Sequence, residues 1–477
     1  LIEISRSLIR SFRAVLKKIA TVAGSREPPA VVVFRTDRTG LRIQASNSQI
    51  ALEHAQPGCH AAEDIGVPAD ALGDCEARKD TPVRFETNQG KIVASWQDKA
   101  VPQIKQYKVV ESSRLPRMPA LPALMEPQPV ELLAALRDAS DIAGTTASRY
   151  SVAFLQLRGH ASQIASTDGR QLLAQSGFTF GWDDDVLVPA CPVFGCRELH
   201  EKAPLTIGKS GEYVTLRMGP WTLHLAINKD GHFPKVDRIL KGNDGGSTVL
   251  QFDPEDVRFL LGILDSLPGA ADESSPVTIE ADGQVIIRAR GSDQPVATEL
   301  LPPRSEVQGK QVTVASNRQF LAQALHLGFA QVRLSGADKL AVCRDEKRQY
   351  VWQLLGKNDV LPPTEQAIRL SSADAAQVHE LARVTVPDEA VLVAPDPSNC
   401  DGEPQVTTTR SANGATRNPE PTGIAGVLAQ AEAIKDLLRQ AYTRTHQLVI
   451  GVKRYRKQAQ AVKSALGSLR QLQEVAD

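Results

Sequence analysis

The sequence predicts an α+β protein in which one block, a helix followed by antiparallel meanders, is used three times. Three observations carry this. Apolar residues at helical spacing open each block, near Ile4, Val130 and Phe252, and alternating apolar runs follow each of them. The tripeptide Val-Pro-Ala stands at the same point of the first two blocks, at 67–69 and 188–190. Stretches unsuited to regular structure separate the blocks: 114–129 holds five prolines and 241–247 three glycines.

In the first block, residues 4–23 place Leu8, Phe12, Val15, Leu16 and Ile19 on one helix face. Arg6, Arg10, Arg13 and Lys17 recur at steps of four, three and four, which lines them up on a second face, with Lys18 beside them. Strands are expected at 31–34, 41–45 and 50–53, with a turn at 37–40. A short helix to about Ala77 and strands at 83–86 and 91–96 complete the block.

The second block repeats this order. A helix over 130–143 carries Leu132, Leu133, Leu136 and Ile142, and a three-strand meander fills 148–174, turning at Arg158-Gly159-His160 and at Thr167-Asp168-Gly169-Arg170. Asp-Gly is a strong turn signal because glycine reaches positive φ without a steric penalty and aspartate tolerates it. A short helical piece to about Lys202 and strands at 205–207, 213–218 and 221–227 follow.

In the third block, Asp253 and Pro254 supply a cap and a first-turn proline for a helix over 252–267. Strands flank Ala281–Gln284, a strand at 311–315 leads into a helix over 317–327, and strands are expected at 331–335, 340–344 and 350–355. Beyond the repeat, 362–381 is expected to hold a short helix. Residues 394–422 read as a polar linker, and 423–475 as two amphipathic helices with a basic cluster at Lys453, Arg454, Arg456 and Lys457. The expected domains are 1–115, 127–241 and 248–361, then a partly disordered linker at 362–422 and a helical extension at 423–477.

Composition narrows the function. A chain of 477 residues with 23% charged residues fits several modest cores. Fifty-five basic residues balance 55 acidic ones, so any contact with a polyanion must come from local segregation of charge. The six cysteines, at 59, 75, 191, 196, 343 and 400, form no CxxC pair and are expected to be reduced, buried thiols. No apolar run of about eighteen residues and no signal-peptide pattern is seen, so a cytoplasmic location without membrane attachment is expected.

Chemistry is not expected. The sequence has no P-loop, no G-x-S-x-G and no H-E-x-x-H, and its nine histidines are scattered. Asp183-Asp184-Asp185 reads as an acidic surface turn, because consecutive residues point in different directions. No catalytic residue, metal or cofactor is assigned.

Several strings, in order, resemble bacterial DNA polymerase III β sliding clamps. They are the Ser148-Arg149-Tyr150 entry with its hairpin and Ser166-Thr167-Asp168-Gly169-Arg170, and the segment 227–240, where Gly231, Phe233 and Pro234 precede basic residues. The third stretch is 312–355, with Ser316-Asn317-Arg318 opening a helix and Tyr350-Val351 in the last strand. The likeness spans residues 2–355. It implies three clamp domains, a homodimeric ring around double-stranded DNA, and a non-catalytic tether for DNA polymerase, clamp loader or repair proteins that bind through short peptides.

Position by position, the resemblance implies that Arg26, Arg149 and Tyr150 face DNA. It also implies that Val152, Thr167, Gly169, Arg170, Leu172, Val351, Gln353 and Leu354 line the peptide pocket. Three departures imply an altered pocket: Arg170-Gln171 stands where a His-Arg pair is usual, Gln353-Leu354-Leu355 where Met-Pro-Met is common, and Lys241 where a proline is expected. Independently of the likeness, the row Arg6, Arg10, Arg13, Lys17 suits phosphate contact. The second helix instead carries Glu131, Asp138 and Asp141, and the third Asp253, Glu255, Asp256 and Asp265, so an uneven, weak grip is expected. The alternative function is a clamp-fold interaction scaffold that no longer encircles DNA and recruits partners through its helical tail.

Overall fold

A computed structural model describes residues 1–20, 29–111, 115–145, 150–199, 203–242, 247–270, 272, 274–292, 294–336 and 339–374. The linker expected at 394–422, the helices expected at 423–475 and Cys400 lie outside the described residues.

The first block runs β1 (Ile2–Ser5), α1 (Arg6–Ile19), β2 (Val31–Asp37), β3 (Gly40–Ser46), β4 (Ile50–Pro57), β5 (Glu63–Pro68), α2 (Ala71–Cys75), β6 (Pro82–Asn88), β7 (Lys91–Asp98) and β8 (Val101–Lys108). The second runs β9 (Glu126–Gln128), α3 (Glu131–Ile142), β10 (Phe154–Arg158), β11 (Gln163–Thr167), β12 (Gln171–Ser176), β13 (Asp185–Pro189), two short 3-10 turns over Pro192–Leu199, β14 (Leu205–Lys209), β15 (Tyr213–Met218), β16 (Trp221–Ala226) and α4 (Asp237–Gly242). The third runs β17 (Thr248–Gln251), α5 (Pro254–Ile263), β18 (Pro276–Asp282), β19 (Gln284–Ala289), β20 (Thr298–Leu301), β21 (Glu306–Gln308), β22 (Val312–Asn317), α6 (Arg318–His326), β23 (Gln331–Leu334), β24 (Leu340–Arg344) and β25 (Arg348–Gln353). A last strand, β26 (Ile368–Ser371), lies beyond the repeat.

Each block folds into the same two sheets. The first has the order β5-β2-β3-β4, β13-β10-β11-β12 and β22-β18-β19-β20 in the three blocks, and the second β1-β6-β7-β8, β9-β14-β15-β16 and β17-β23-β24-β25, the last extended by β21. Neighbouring blocks are then sewn together edge to edge. β4 pairs antiparallel with β16, setting Leu52 opposite Leu223, and β12 pairs antiparallel with β25, setting Leu172 opposite Val351.

Helices close the apolar sheet faces. On α1, Ile9, Phe12, Val15, Leu16 and Ile19 are buried, and Phe12 stacks on Trp221 of β16 at 6.0 Å between ring centroids. The α1 helix starts where Ser5 accepts the Ser7 amide, and α5 where Asp253 accepts the Glu255 amide at 2.8 Å. One apolar cluster spans the first two blocks; the other fills the third and takes in Ile142 and Leu173 from the second.

Five expectations change. Residues 2–5 are a strand, so the first helix begins at Arg6 rather than at Ile4: Ile2 and Ile4 alternate inward and pair with β6. The proline-rich stretch 114–129 contains β9, paired with β14. Val101–Lys108 forms a strand that Pro102 had hidden, since proline is tolerated on an edge. The segment 362–381, expected to hold a short helix, contains β26, whose backbone is engaged by β20; helical residues begin after it at 372–374, and 375–381 lie outside the described residues. Cys59 is exposed, whereas Cys75, Cys191, Cys196 and Cys343 are buried; burial raises the thiols of Cys75 and Cys196 to about 11 and that of Cys191 to about 12.

The β4·β16 joint holds two buried histidines. His54 meets Trp221 edge-on at 4.6 Å, and His224 Nδ1 lies 2.9 Å from the Thr215 hydroxyl. Burial pulls both imidazoles from 6.5 to about 4, for His54 against the opposing pull of a backbone hydrogen bond. The unfolded chain takes up these protons near pH 6.5 and the folded one only near 4. Between those values the unfolded state binds more protons, so stability is lost as pH falls through the window. Thermal melts should therefore fall between pH 6.5 and 5, and the double substitution His54→Phe/His224→Gln should flatten that slope.

Candidate functional site

The basic row on α1 is narrower than its spacing suggests. Arg6 is only 7% exposed. Its guanidinium donates to the carbonyls of Cys75 (2.8 Å), Gln97 (3.2 Å) and Glu76 (3.3 Å) and lies over the Trp96 ring. It ties the end of α2 to the end of β7 and is not on the surface, which corrects its expected place among the DNA-facing residues. Arg13 is partly buried and bridges to Glu76 at 2.6 Å. Arg10 and Lys17 are the members that project into solvent. Tyr150 is 44% exposed, while Arg26 and Arg149 lie outside the described residues.

The acidic counterparts are also thinned. Asp256 is fully buried on α5, where it accepts hydrogen bonds from the Arg304 amide (2.9 Å) and from the hydroxyls of Ser305 (2.7 Å) and Ser372 (2.5 Å). Glu255 pairs with Arg304 at 2.9 Å, and Asp138 with Arg137 at 2.7 Å. In the acidic triplet, Asp184 pairs with Lys209 and Asp185 lies 3.9 Å from Arg158.

The second group of site residues meets at the β12·β25 joint. The turn between β11 and β12 is built by side chains bonding to nearby backbone. Asp168 Oδ1 accepts the amides of Arg170 (2.8 Å) and Gln171 (2.9 Å), and Thr167 Oγ1 accepts the Gly169 amide at 3.0 Å and donates to the Gln171 carbonyl. Gly169 sits at φ 94°, which only glycine adopts without strain. The Gln353 amide donates to the Arg170 carbonyl at 2.9 Å, which fixes the end of β25 against the turn.

Val152, Leu172 and Val351 are buried but belong to neither main core, and Leu354 is buried in the second. Gly169, Arg170 and Gln353 are exposed around them. Val152 and Asp168 both close on Gly144, where an added Cβ would lie 2.7 Å from the valine. The joint therefore presents exposed polar groups over a small buried apolar set.

Sequence reasoning missed two supports of this site. Gln171 binds the Asp168 carboxylate through Nε2 at 2.9 Å, and its Oε1 accepts the Tyr350 hydroxyl at 2.5 Å. Burial raises the Tyr350 phenol well above 10, so it stays a donor. The departure at Arg170-Gln171 thus has a structural use, which becomes visible only once β25 is known to lie beside β12.

About three quarters of the chain, 74%, matches solved structures. The DNA polymerase III subunit beta from Pseudomonas aeruginosa matches with a TM-score of 0.61 at 18% identity, over 74% of this chain and 99% of that one. The fold is that of a sliding clamp. The beta subunit from the DNA polymerase of Streptococcus pyogenes gives 0.61 at 14% identity over 74% and 99%, and that from Thermotoga maritima gives 0.60 at 13% over 74% and 98%. No protein-family model and no curated protein matches the sequence. Among the described residues no helix is long and apolar enough to cross a membrane, and no group of His, Cys, Asp and Glu could hold a metal ion.

The two kinds of α1 arginine separate in experiment. On the expectation that the row meets phosphate, replacing Arg10 and Lys17 with alanine should leave the melting temperature nearly unchanged and lower the slope of log affinity for duplex DNA against log salt by about 1.8, two contacts' worth. Arg6→Met should do the reverse: a lower melting temperature, because buried carbonyls lose their donor, with the salt slope intact.

Proposed function

We propose that this chain acts as a sliding clamp or divergent clamp paralogue, a dimeric ring around duplex DNA that tethers polymerase or repair proteins and performs no chemistry. The single observation that supports this best is the repeated edge joint. β4·β16 and β12·β25 each join the last strand of a block's first sheet to the last strand of the next block's second sheet. By that rule the third block ends in β20 and the first begins with β8, and these two edges complement each other only between copies. Clamp domains at 1–115, 127–241 and 248–361, taken twice, would give six such joints, four within chains and two between them.

In this reading Arg10, Lys17 and Tyr150, with Arg13, Arg26 and Arg149, meet the DNA backbone. A short row of cations gives a weak, salt-sensitive hold compatible with sliding. The rim of Gly169, Arg170 and Gln353 over the buried Val152, Thr167, Leu172, Val351 and Leu354 receives a partner's peptide, with extended backbone and one or two apolar side chains as the matching chemistry. Because Gln171 is held by Asp168 and Tyr350, the peptide it accepts differs from that suited to a His-Arg rim.

Topology is the test. Protein loaded onto a nicked circular duplex should remain on it through gel filtration in moderate salt and be lost when the circle is linearised. Equal retention on circular and linear DNA would replace the ring by the scaffold that recruits partners without encircling DNA.

A further inference from the structure

The edge that the repeat leaves for a second copy is already occupied. β26 lies alongside β20 in parallel, with Thr298 opposite Ile368, Glu299 opposite Arg369, Leu300 opposite Leu370 and Leu301 opposite Ser371. The Ile368 amide donates to the Ala297 carbonyl at 2.9 Å. Nothing equivalent stands at the other two joints, where β4 and β12 pair directly with β16 and β25. At the far end of the described unit, β8 has an open outer edge and leaves Val101 57% and Ile104 67% exposed.

The attachment of β26 is suited to release. Its pairing is parallel and spans four positions, whereas each internal joint is antiparallel and spans five, and parallel ladders are slightly weaker per residue. Its apolar side chains gain little, because Ile368 remains 57% and Leu370 39% exposed. Its polar anchors are Arg369 to Glu299 at 3.1 Å and Ser372 to Asp256 at 2.5 Å.

Both carboxylates are buried, and both keep partners if the strand leaves. Glu299 retains Arg288 at 2.7 Å, and Asp256 retains Ser305 and the Arg304 amide. Departure of β26 thus strands no buried charge, which would otherwise hold it in place. The chain just before it stays fixed, with the Leu361 amide on Thr278 (2.8 Å) and its carbonyl on Arg288 (3.1 Å), and Pro362-Pro363 lies between that anchor and the strand.

We propose that β26 is a displaceable plug on the ring joint: in a single chain it fills the edge of β20 that β8 of a second copy takes when the ring closes. The inference rests on the ring reading above and adds that assembly is a strand exchange, in which the segment following the clamp fold competes with the second copy for one row of backbone donors and acceptors. Whatever binds the segment in its released form would favour closed rings, and whatever holds it on β20 would favour open single chains.

Sedimentation equilibrium on the full chain tests this with five proteins, the unmodified chain and four variants. Ile368→Pro/Leu370→Pro removes amide donors from β26, and Arg369→Glu sets a negative charge against Glu299 with minimal change of backbone. Each should tighten dimerisation at least tenfold relative to the unmodified chain. Adding Ile104→Asp on β8 to Arg369→Glu should abolish that gain. Unchanged or weaker dimerisation in Arg369→Glu would overturn the plug, while loss of the unmodified dimer by Ile104→Asp alone would leave the ring reading standing. Dimers insensitive to Ile104→Asp would overturn both.

Discussion

Every sheet edge presents a row of unpaired backbone donors and acceptors, and a protein built from many short sheets must find partners for them. This chain solves the problem by one repeated device. Each block carries two sheets that share one four-strand order, and the exposed edge of one is sewn antiparallel to the exposed edge of the next block's other sheet. The helices serve that arrangement. Phe12 of α1 reaches Trp221 of β16, and Ile142 of α3 reaches into the core of the third block, so packing crosses each seam that the strands close. In the proposed ring, the edges left over after two seams are what bring two copies together.

The same seams place the functional candidates. The turn Thr167–Arg170 ends a strand that is half of the second seam, and Gln353 ends the other half, so the polar rim is fixed by sheet register rather than by a free loop. On α1 the division of labour is electrostatic. Arg6 satisfies three carbonyls at the meeting of α2 and β7, which leaves the outward cations few and well separated. In the proposed ring, such a sparse row suits movement along DNA better than a dense one.

Much of this was legible in the sequence, and the failures share a cause. The repeat, the helix faces of α1 and α3, and the strands β15 and β24 followed from periodicity because those elements are long or regular enough to show a period, and α5 followed from its Asp253 cap and Pro254. The strand ahead of each helix was missed all three times: the end of β1 was absorbed into a helix, β9 into a linker, and β17 was given no element. These have three or four residues, too few to alternate visibly, and only pairing with β6, β14 and β23 makes them strands. Arg6 was misplaced because helical spacing puts it in line with Arg10, and only the carbonyls of Cys75, Glu76 and Gln97 show which way it turns. The turn at Asp168-Gly169 was readable because its bonds are local. The role of Gln171 was not, since its partner Tyr350 is 179 residues away.

The account stands on β8 being the third instance of the seam. Amide hydrogen exchange of Val101–Lys108, followed across a dilution series of the full chain, tests this most directly. Exchange there should slow in step with the appearance of mass twice the 51.6 kDa chain, while Ile2–Ser5 at the opposite edge of the same sheet stays unchanged. Fast exchange of Val101–Lys108 at concentrations where dimers dominate would contradict it.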